Sequence, residues 1–295
     1  MNKTSNDKQC TILWHVDDLK ISHMDPEIVT AILGEIDDWY GEQAPLTVTR
    51  GKVHAYLGMT IDYSEEGKVK FTMYDYIDDL LEELPPHIRG SAPSPADAHL
   101  FKSNTEDPEL LSLLERDVFH HQVAQLLYLS KRARPDIQLP IAYLCTISQA
   151  ANKDDDAKLA RVTRCLDGTI GLPLILAMDK SGKMRWHVNA SFAVHNDTKS
   201  HTGATMTMEQ GAAFSQSSKQ KLNTKSSTEA ELVGVGDVLP SWKHSSTNKL
   251  RTTSATRTTR VPSNSKTMAR DPAANAPDIS TSDTTLLPIE WPTAK

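Results

Sequence analysis

Cysteine is scarce: three residues in 295, at Cys10, Cys145 and Cys165. An odd number spread this widely fits neither a disulfide framework nor a clustered zinc site, and a reducing interior is the expectation. A basic excess is also missing, with 32 Lys and Arg against 38 Asp and Glu and a net charge of −6. Any grip on nucleic acid therefore has to come from a local patch of cations rather than from the molecule as a whole. Aromatics make up only 6% of the residues, although a hydrophobic share of 38% still allows a packed core. Long apolar runs are lacking. The most apolar window, GTIGLPLILAM at 168–178, is too short to cross a bilayer and contains Pro173. The opening MNKTSNDKQC has no apolar stretch of the kind a secretory leader needs. A soluble intracellular chain with no membrane partner is the expectation. No glycine-rich phosphate loop occurs, nor any Ser-His-Asp set with supporting spacing.

What is present reads as a mixture of strands and helices. Residues 12–22 alternate as strand, acidic turn, strand, with Ile12, Trp14 and Val16 on one face. A helical segment, PEIVTAILGEIDDWYGE, follows. Two β-rich runs over 52–73 are joined at Glu65-Glu66-Gly67, a hairpin turn. YDYIDDLLEELPPH is an amphipathic helix stopped by Pro85-Pro86, and the Pro, Ser and Ala-rich stretch 90–109 is a connecting loop. Helices are expected over DVFHHQVAQLLYLSKRA, IQLPIAYLCTISQAA and DDDAKLARVTRCLDG. From Met184 the period returns to two: Trp186, Val188, Ala190 and Phe192 alternate with His187, Asn189 and Ser191. A hairpin around Glu209-Gln210-Gly211 precedes a helix opened by Ser226 and Glu229, a capping box. Beyond Pro240 the apolar period collapses into Ser, Thr, Arg and Pro, and residues 243–295 are expected to be disordered.

Asp17 and Asp18 sit side by side at the first turn. Paired carboxylates at a hairpin tip can reach divalent cations that position a phosphate, yet aspartate also favours turns for its own hydrogen bonding. His120-His121 lacks spaced partners for a metal, and Asp154-Asp155-Asp156 reads as a helix start that favours negative charge. Lys131, Arg132 and Arg134, and Lys219, Lys221 and Lys225, are candidates for touching a nucleic-acid backbone, or else ordinary solvated surface.

Five blocks taken in order carry a resemblance. WHVDDLKISH resembles the catalytic xVDD hairpin of copia-type retrotransposon reverse transcriptases. HAYLGMTIDY at 54–63 is similar to their LG-containing primer-grip region. FHHQVAQLLYLSKRARPDI at 119–137 and DAKLARVTRCLDGT at 156–169 resemble two further family blocks. NASFAVHNDTKSHTGA and FSQSSKQKLNTKSSTEAEL resemble the ribonuclease H module that follows. The resemblance covers residues 11–240. It implies an α+β or α/β chain divided into a distal palm and thumb-like part (1–90), a helical connection (91–183), a truncated ribonuclease H-like domain (184–242) and the tail (243–295). The implied chemistry is RNA-directed DNA polymerisation and cleavage of RNA in RNA–DNA hybrids, with Mg²⁺ as cofactor. An RNA template, a DNA primer and the hybrid are the implied partners.

The same resemblance implies incomplete sites. The family's palm carries a third carboxylate on an upstream strand, and the sixteen residues before Asp17 form none. The first ribonuclease H strand has Asn189 where the family has aspartate, and an amide is a weaker ligand than a carboxylate for a hard cation. Glu229 and Glu231 are about 200° apart around a helix, so only one can face a site. Glu229 is the capping residue, which leaves Glu231 as the remnant ligand. Asp17, Asp18 and Glu231 are thus the carried-over catalytic and metal-binding residues, and no turnover is expected. A non-enzymatic nucleic-acid- or protein-binding module, or a translated relic, is the alternative.

The tail holds one more reading. Residues 256–284 admit codons that, one base out of frame, spell QDNQSAIQLENNGTGSSSKCTRHLNIRY. This resembles the family's continuation, including its QDN aspartate. A one-base frameshift or a mispredicted exon junction near Pro240–His244 explains it, and the genomic codons test it.

Overall fold

The alternation at the start produces paired strands. β1 (Asn2–Ser5), β2 (Lys8–His15) and β3 (Asp18–Ser22) form an antiparallel sheet in that order. This is a computed structural model, and it describes residues 2–5, 8–16, 18–43, 45–84, 88–102, 109–178, 183–246 and 253–257. Asp25 accepts a hydrogen bond from Glu27 N and Pro26 fixes the first turn, so α1 (Pro26–Tyr40) starts as expected. Nothing on α1 is buried, and Trp14, Val16, Met24 and Trp39 are exposed. The expected face of Ile12, Trp14 and Val16 therefore covers no core, and Val16 has left the strand for a turn with φ 48°.

The first of the two expected β runs is itself a hairpin. β4 (Val53–Tyr56) and β5 (Met59–Asp62) are joined by Leu57 and Gly58, both with positive φ (52° and 70°). Two consecutive left-handed residues make the turn that fits the natural twist of a two-residue hairpin. β6 (Lys68–Thr72) follows the expected turn, with Gly67 at φ 75°. α2 (Tyr74–Glu82) buries Ile77, Leu80 and Leu81 and stops before the proline pair.

α3 (Leu113–Ser130) begins earlier than its apolar pattern suggested, because Ser112 and Glu115 cap it reciprocally. α4 (Gln138–Ile147) tolerates Pro140 in its first turn, where no N–H partner is needed. α5 (Lys153–Asp167) opens on a capping box between Asn152 and Asp155, with Asp154, Asp155 and Asp156 at its positive end. One core joins these helices to α2: Ile77, Leu81, Phe119, Leu126, Leu129, Ile137, Ile141, Leu144, Leu159, Val162 and Leu166. The apolar window at 168–178 supplies β7 (Leu174–Met178), which pairs with β6. Sheet and core both run across the boundary expected at residue 90.

β8 (Met184–Ser191), β9 (His201–Thr207) and β11 (Phe214–Lys219) are antiparallel neighbours. Between the last two, β10 (Glu209–Gln210) leaves the hairpin to pair with β7, tying the two sheets together. Gly211 makes this possible: φ is 75°, and a Cβ there would overlap the Ile175 carbonyl oxygen. Gly211→Ala should cost about 1–3 kcal/mol, since backbone must move to admit it. A urea melt checks this, and an unchanged midpoint would mean that the junction is slack.

α6 (Ser227–Ser246) packs on β8 and β9, and Val238 joins a small core of Met184, Trp186, Val188, Ala204 and Met206. β12 (Thr253–Arg257) then pairs parallel to β8, giving the order β11-β9-β8-β12. The disorder expected from residue 243 is corrected at both elements: α6 reaches Ser246 and 253–257 is a strand. Parallel pairing requires backbone groups and not an apolar period, so composition hid it. The remaining tail lies outside the described residues. Among the described residues, no helix is long and apolar enough to cross a membrane.

Candidate functional site

Asp17 lies outside the described residues. Asp18 is the exposed first residue of β3, in register with His15. The turn before it is braced by Trp14, whose Nε1 donates to Val16 O at 2.7 Å.

The C-terminal sheet carries the other acidic candidate. Ser226 Oγ accepts from Glu229 N at 3.2 Å, and Glu229 Oε2 accepts from Lys225 N at 2.6 Å. Glu229 is thereby committed to the cap, while Glu231, two residues on, turns inward and is buried. Gly234 lies against the sheet: a Cβ there would sit 3.6 Å from Ala190 Cβ and 3.4 Å from Thr202. Ala190 therefore faces α6, and Asn189, its neighbour on a pleated strand, faces the other way. Asn189 lines a cavity of about 330 Å³ with Gln138, His187, Ser191 and Gln216 on the face that α4 covers. The structure thus separates Asn189 from Glu231 by the thickness of the sheet. Beside Glu231, Gln220 donates to Thr202 Oγ1 (3.0 Å) and to Ala230 O (2.8 Å). Thr202 in turn donates to Asp237 at 3.2 Å. Among the described residues, no three His, Cys, Asp or Glu side chains come together in a way that could hold a metal ion. The donor set does not fit a Mg²⁺ cage.

The cationic candidates divide. Arg134 is only 1% exposed. Its Nε and Nη2 donate to the two Asp136 oxygens at 2.9 and 2.7 Å, and Nη1 and Nη2 donate to Thr169 O and Oγ1 at 3.0 and 2.8 Å. Its expected role as a backbone contact is corrected: the guanidinium is spent inside the fold. Lys131 is exposed, and partial burial lowers its pKa. Arg132 lies flat on Tyr128, with Cζ 3.5 Å from the ring centre. Lys219 pairs with Asp197 at 2.9 Å, which holds the Asp197 carboxyl below its usual range. Lys221 and Lys225 are exposed on the loop from β11 to α6.

One cluster escaped the sequence reading. His195 Nε2 and His201 Nδ1 are 3.0 Å apart, and His201 Nε2 lies 2.7 Å from Ser217 Oγ. The rings stack on each other, and Phe101 packs 5.3 Å from both. Tyr143 of α4 closes the box at 5.8 Å from His195. Burial pushes both imidazoles down to about 4, with Lys219 adding to the effect on His195 and His195 to that on His201. Two histidines six residues apart on either side of a turn were the available signal, and the loop that His195 N closes on Lys199 O at 3.1 Å and Thr198 N on His195 O at 2.8 Å is what brings them together.

No family model matches the chain. It is 25% identical to a transposon Ty5-1 protein of Saccharomyces cerevisiae over 241 residues, 80% of this chain and 75% of that protein.

Proposed function

We propose that this retrotransposon-related chain is the distal part of a copia-type reverse transcriptase with a ribonuclease H-like module, able to bind nucleic acid but not to turn it over. The observation that carries the reading is the build of the second sheet. Strand β8 with Asn189, the β9–β11 hairpin, helix α6 with Glu231 and a strand parallel to the first follow one another as the resemblance requires. The out-of-frame reading adds support, since its QDN begins at residue 256, within β12, where Arg257 is in register with Val188 beside Asn189. Codons that residues 256 and 257 admit would thus put the carboxylate that the module needs at the end of that strand, one base out of frame. As it stands, the site offers an amide and one glutamate on opposite faces, and hydrolysis through paired cations needs a full carboxylate cage.

Binding rests on the cations that stay outside, Lys131, Arg132, Lys221 and Lys225, while Lys219 is half-buried in its pair with Asp197. The test is a labelled RNA–DNA hybrid with the purified chain in Mg²⁺. If three of these cations each neutralise a phosphate, affinity should fall roughly 40-fold between 50 and 200 mM salt, at a slope near −0.9 per contact. The hybrid should stay intact. Cleavage would overturn the inactive assignment, and no binding at low salt would overturn the nucleic-acid reading. The exposed Trp14 and Val16 favour a partner for the first sheet, as expected of a piece of a larger polymerase.

A further inference from the structure

The Leu57–Gly58 turn is expensive. Leucine at φ 52° is in the left-handed region that side chains with a Cβ rarely adopt, and such a residue persists where its surroundings over-determine it. Here the restraint comes from another element. Tyr128, on the last turn of α3, donates its hydroxyl to Leu57 O at 2.9 Å. Tyr128 is itself braced by Tyr76 of α2, whose ring lies 5.5 Å away and whose hydroxyl donates to Gln125 O at 3.1 Å.

The same phenol ring carries Arg132 on its face. The guanidinium has one long contact to protein oxygen, Nη1 to Tyr128 O at 3.5 Å, and among the described residues no carboxylate pairs with it. A planar cation held flat by an aromatic ring keeps its charge and loses its freedom. That combination suits a phosphate oxygen better than a mobile lysine would. Lys131 adds a second cation at the preceding residue, and Gly58, next to Leu57 in the turn, is exposed.

We propose that Tyr128 is a positioning residue: its hydroxyl fixes the Leu57–Gly58 turn and its face fixes Arg132, so that turn and cation together receive the backbone of a bound nucleic acid. This rests on the nucleic-acid reading above, which already held Arg132 and the block around Leu57–Gly58, and adds to it Tyr128, which the sequence did not mark. A purely structural tyrosine would affect stability alone.

The experiment is equilibrium binding of a primed RNA–DNA heteroduplex across a salt series, with folding followed by circular dichroism. Tyr128→Phe keeps the ring beneath Arg132 and removes the donor to Leu57. It should weaken binding about 3–10-fold with the salt slope unchanged, the range expected for one lost hydrogen bond. Arg132→Gln should reduce the slope by about one, and Arg132→Lys should restore it. If folded Tyr128→Phe binds as the wild type does, the positioning role is overturned even where its melting temperature has dropped. If Arg132→Gln leaves the slope intact, the phosphate contact is overturned. Wild type that fails to bind at low salt removes the nucleic-acid reading itself, a result distinct from either.

Discussion

Arg134→Ala should destabilise the helical core by about 3–5 kcal/mol, the usual consequence of removing one member of a buried charge pair. The side chain is among the largest that the fold encloses completely, at 1% exposure. Alanine would strand three acceptors at once: the Asp136 carboxylate, Thr169 O and Thr169 Oγ1. It would also leave a hole beside Ile137, which is fully buried at the end of α3's outgoing turn. One circumstance softens the loss. Asp136 is 35% exposed, so water can solvate part of its abandoned charge, and the lower half of the range is the better expectation. Arg134→Lys should recover little, because a single ammonium cannot span the Asp136 fork and the Thr169 pair together. Urea unfolding of both variants gives the answer. As the comparison, Lys225→Gln on the exposed loop should stay within about 0.5 kcal/mol of wild type. A loss below about 1 kcal/mol for Arg134→Ala would show that solvent reaches the site and that the cation is held more loosely than its four hydrogen bonds suggest.

Arg134 also shows where sequence reading stops. Its neighbours Lys131 and Arg132 make SKRARPDI look like a basic stripe, and local spacing says nothing against that. What turns Arg134 inward is the short 3₁₀ turn at Pro135–Ile137 together with Thr169, which is 35 residues away. Features set by local chemistry were legible: the cap at Ser226, the hairpin turns at Gly67 and Gly211, and the alternation along β8 that buries Met184, Trp186 and Val188. Features set by distant partners were not. LILAM becomes strand only because β6 and β10 lie on either side of it, and an apolar run of five residues has no period to declare. The LG pair inside HAYLGMTIDY carried its glycine in plain view, but the leucine before it gave no sign of a left-handed turn. At the candidate site, the capping argument put Glu229 in the cap, where its carboxylate accepts from Lys225 N. The pleat that places Asn189 on the opposite face from α6 could not be read without knowing which face the helix covers.

Acid should loosen the seam between α4 and the second sheet before it titrates the carboxylates. At neutral pH the folded rings of His195 and His201 are neutral and the unfolded ones only partly charged, so the contribution to pH dependence is small there. Their folded pKa values lie near 4, against 6.5 for a free imidazole. Between those limits the unfolded chain takes up protons that the folded chain refuses, so stability falls as pH drops from about 6.5 and levels off below about 4. Every tenfold weakening of proton affinity on folding corresponds to about 1.4 kcal/mol. The two rings share one hydrogen bond, and the second proton would have to enter beside the first. One protonation alone therefore corresponds to roughly 3 kcal/mol, and the second, entering beside a charge, adds to that loss. The groups around the pair act on it unequally. Lys219 and Lys199 oppose a charged His195 and Asp197 favours one, while Lys158, ion-paired with Asp154 and Asp155, stands behind Tyr143. The carboxylates held below their usual range, Asp62, Glu115 and Asp197, give up their contribution as pH falls through their ordinary values of 3.8 to 4.5 and below, so most of the histidine window lies above theirs. Urea midpoints at pH 7, 5.5 and 4.5 should fall in sequence for the wild type. They should fall much less for His195→Gln with His201→Gln, in which amides keep the polar contacts without titrating. Equal acid loss in the wild type and the double variant would place the sensitivity elsewhere. A flat wild-type profile would mean that the box around Phe101 and Tyr143 admits enough water to solvate a charged imidazole.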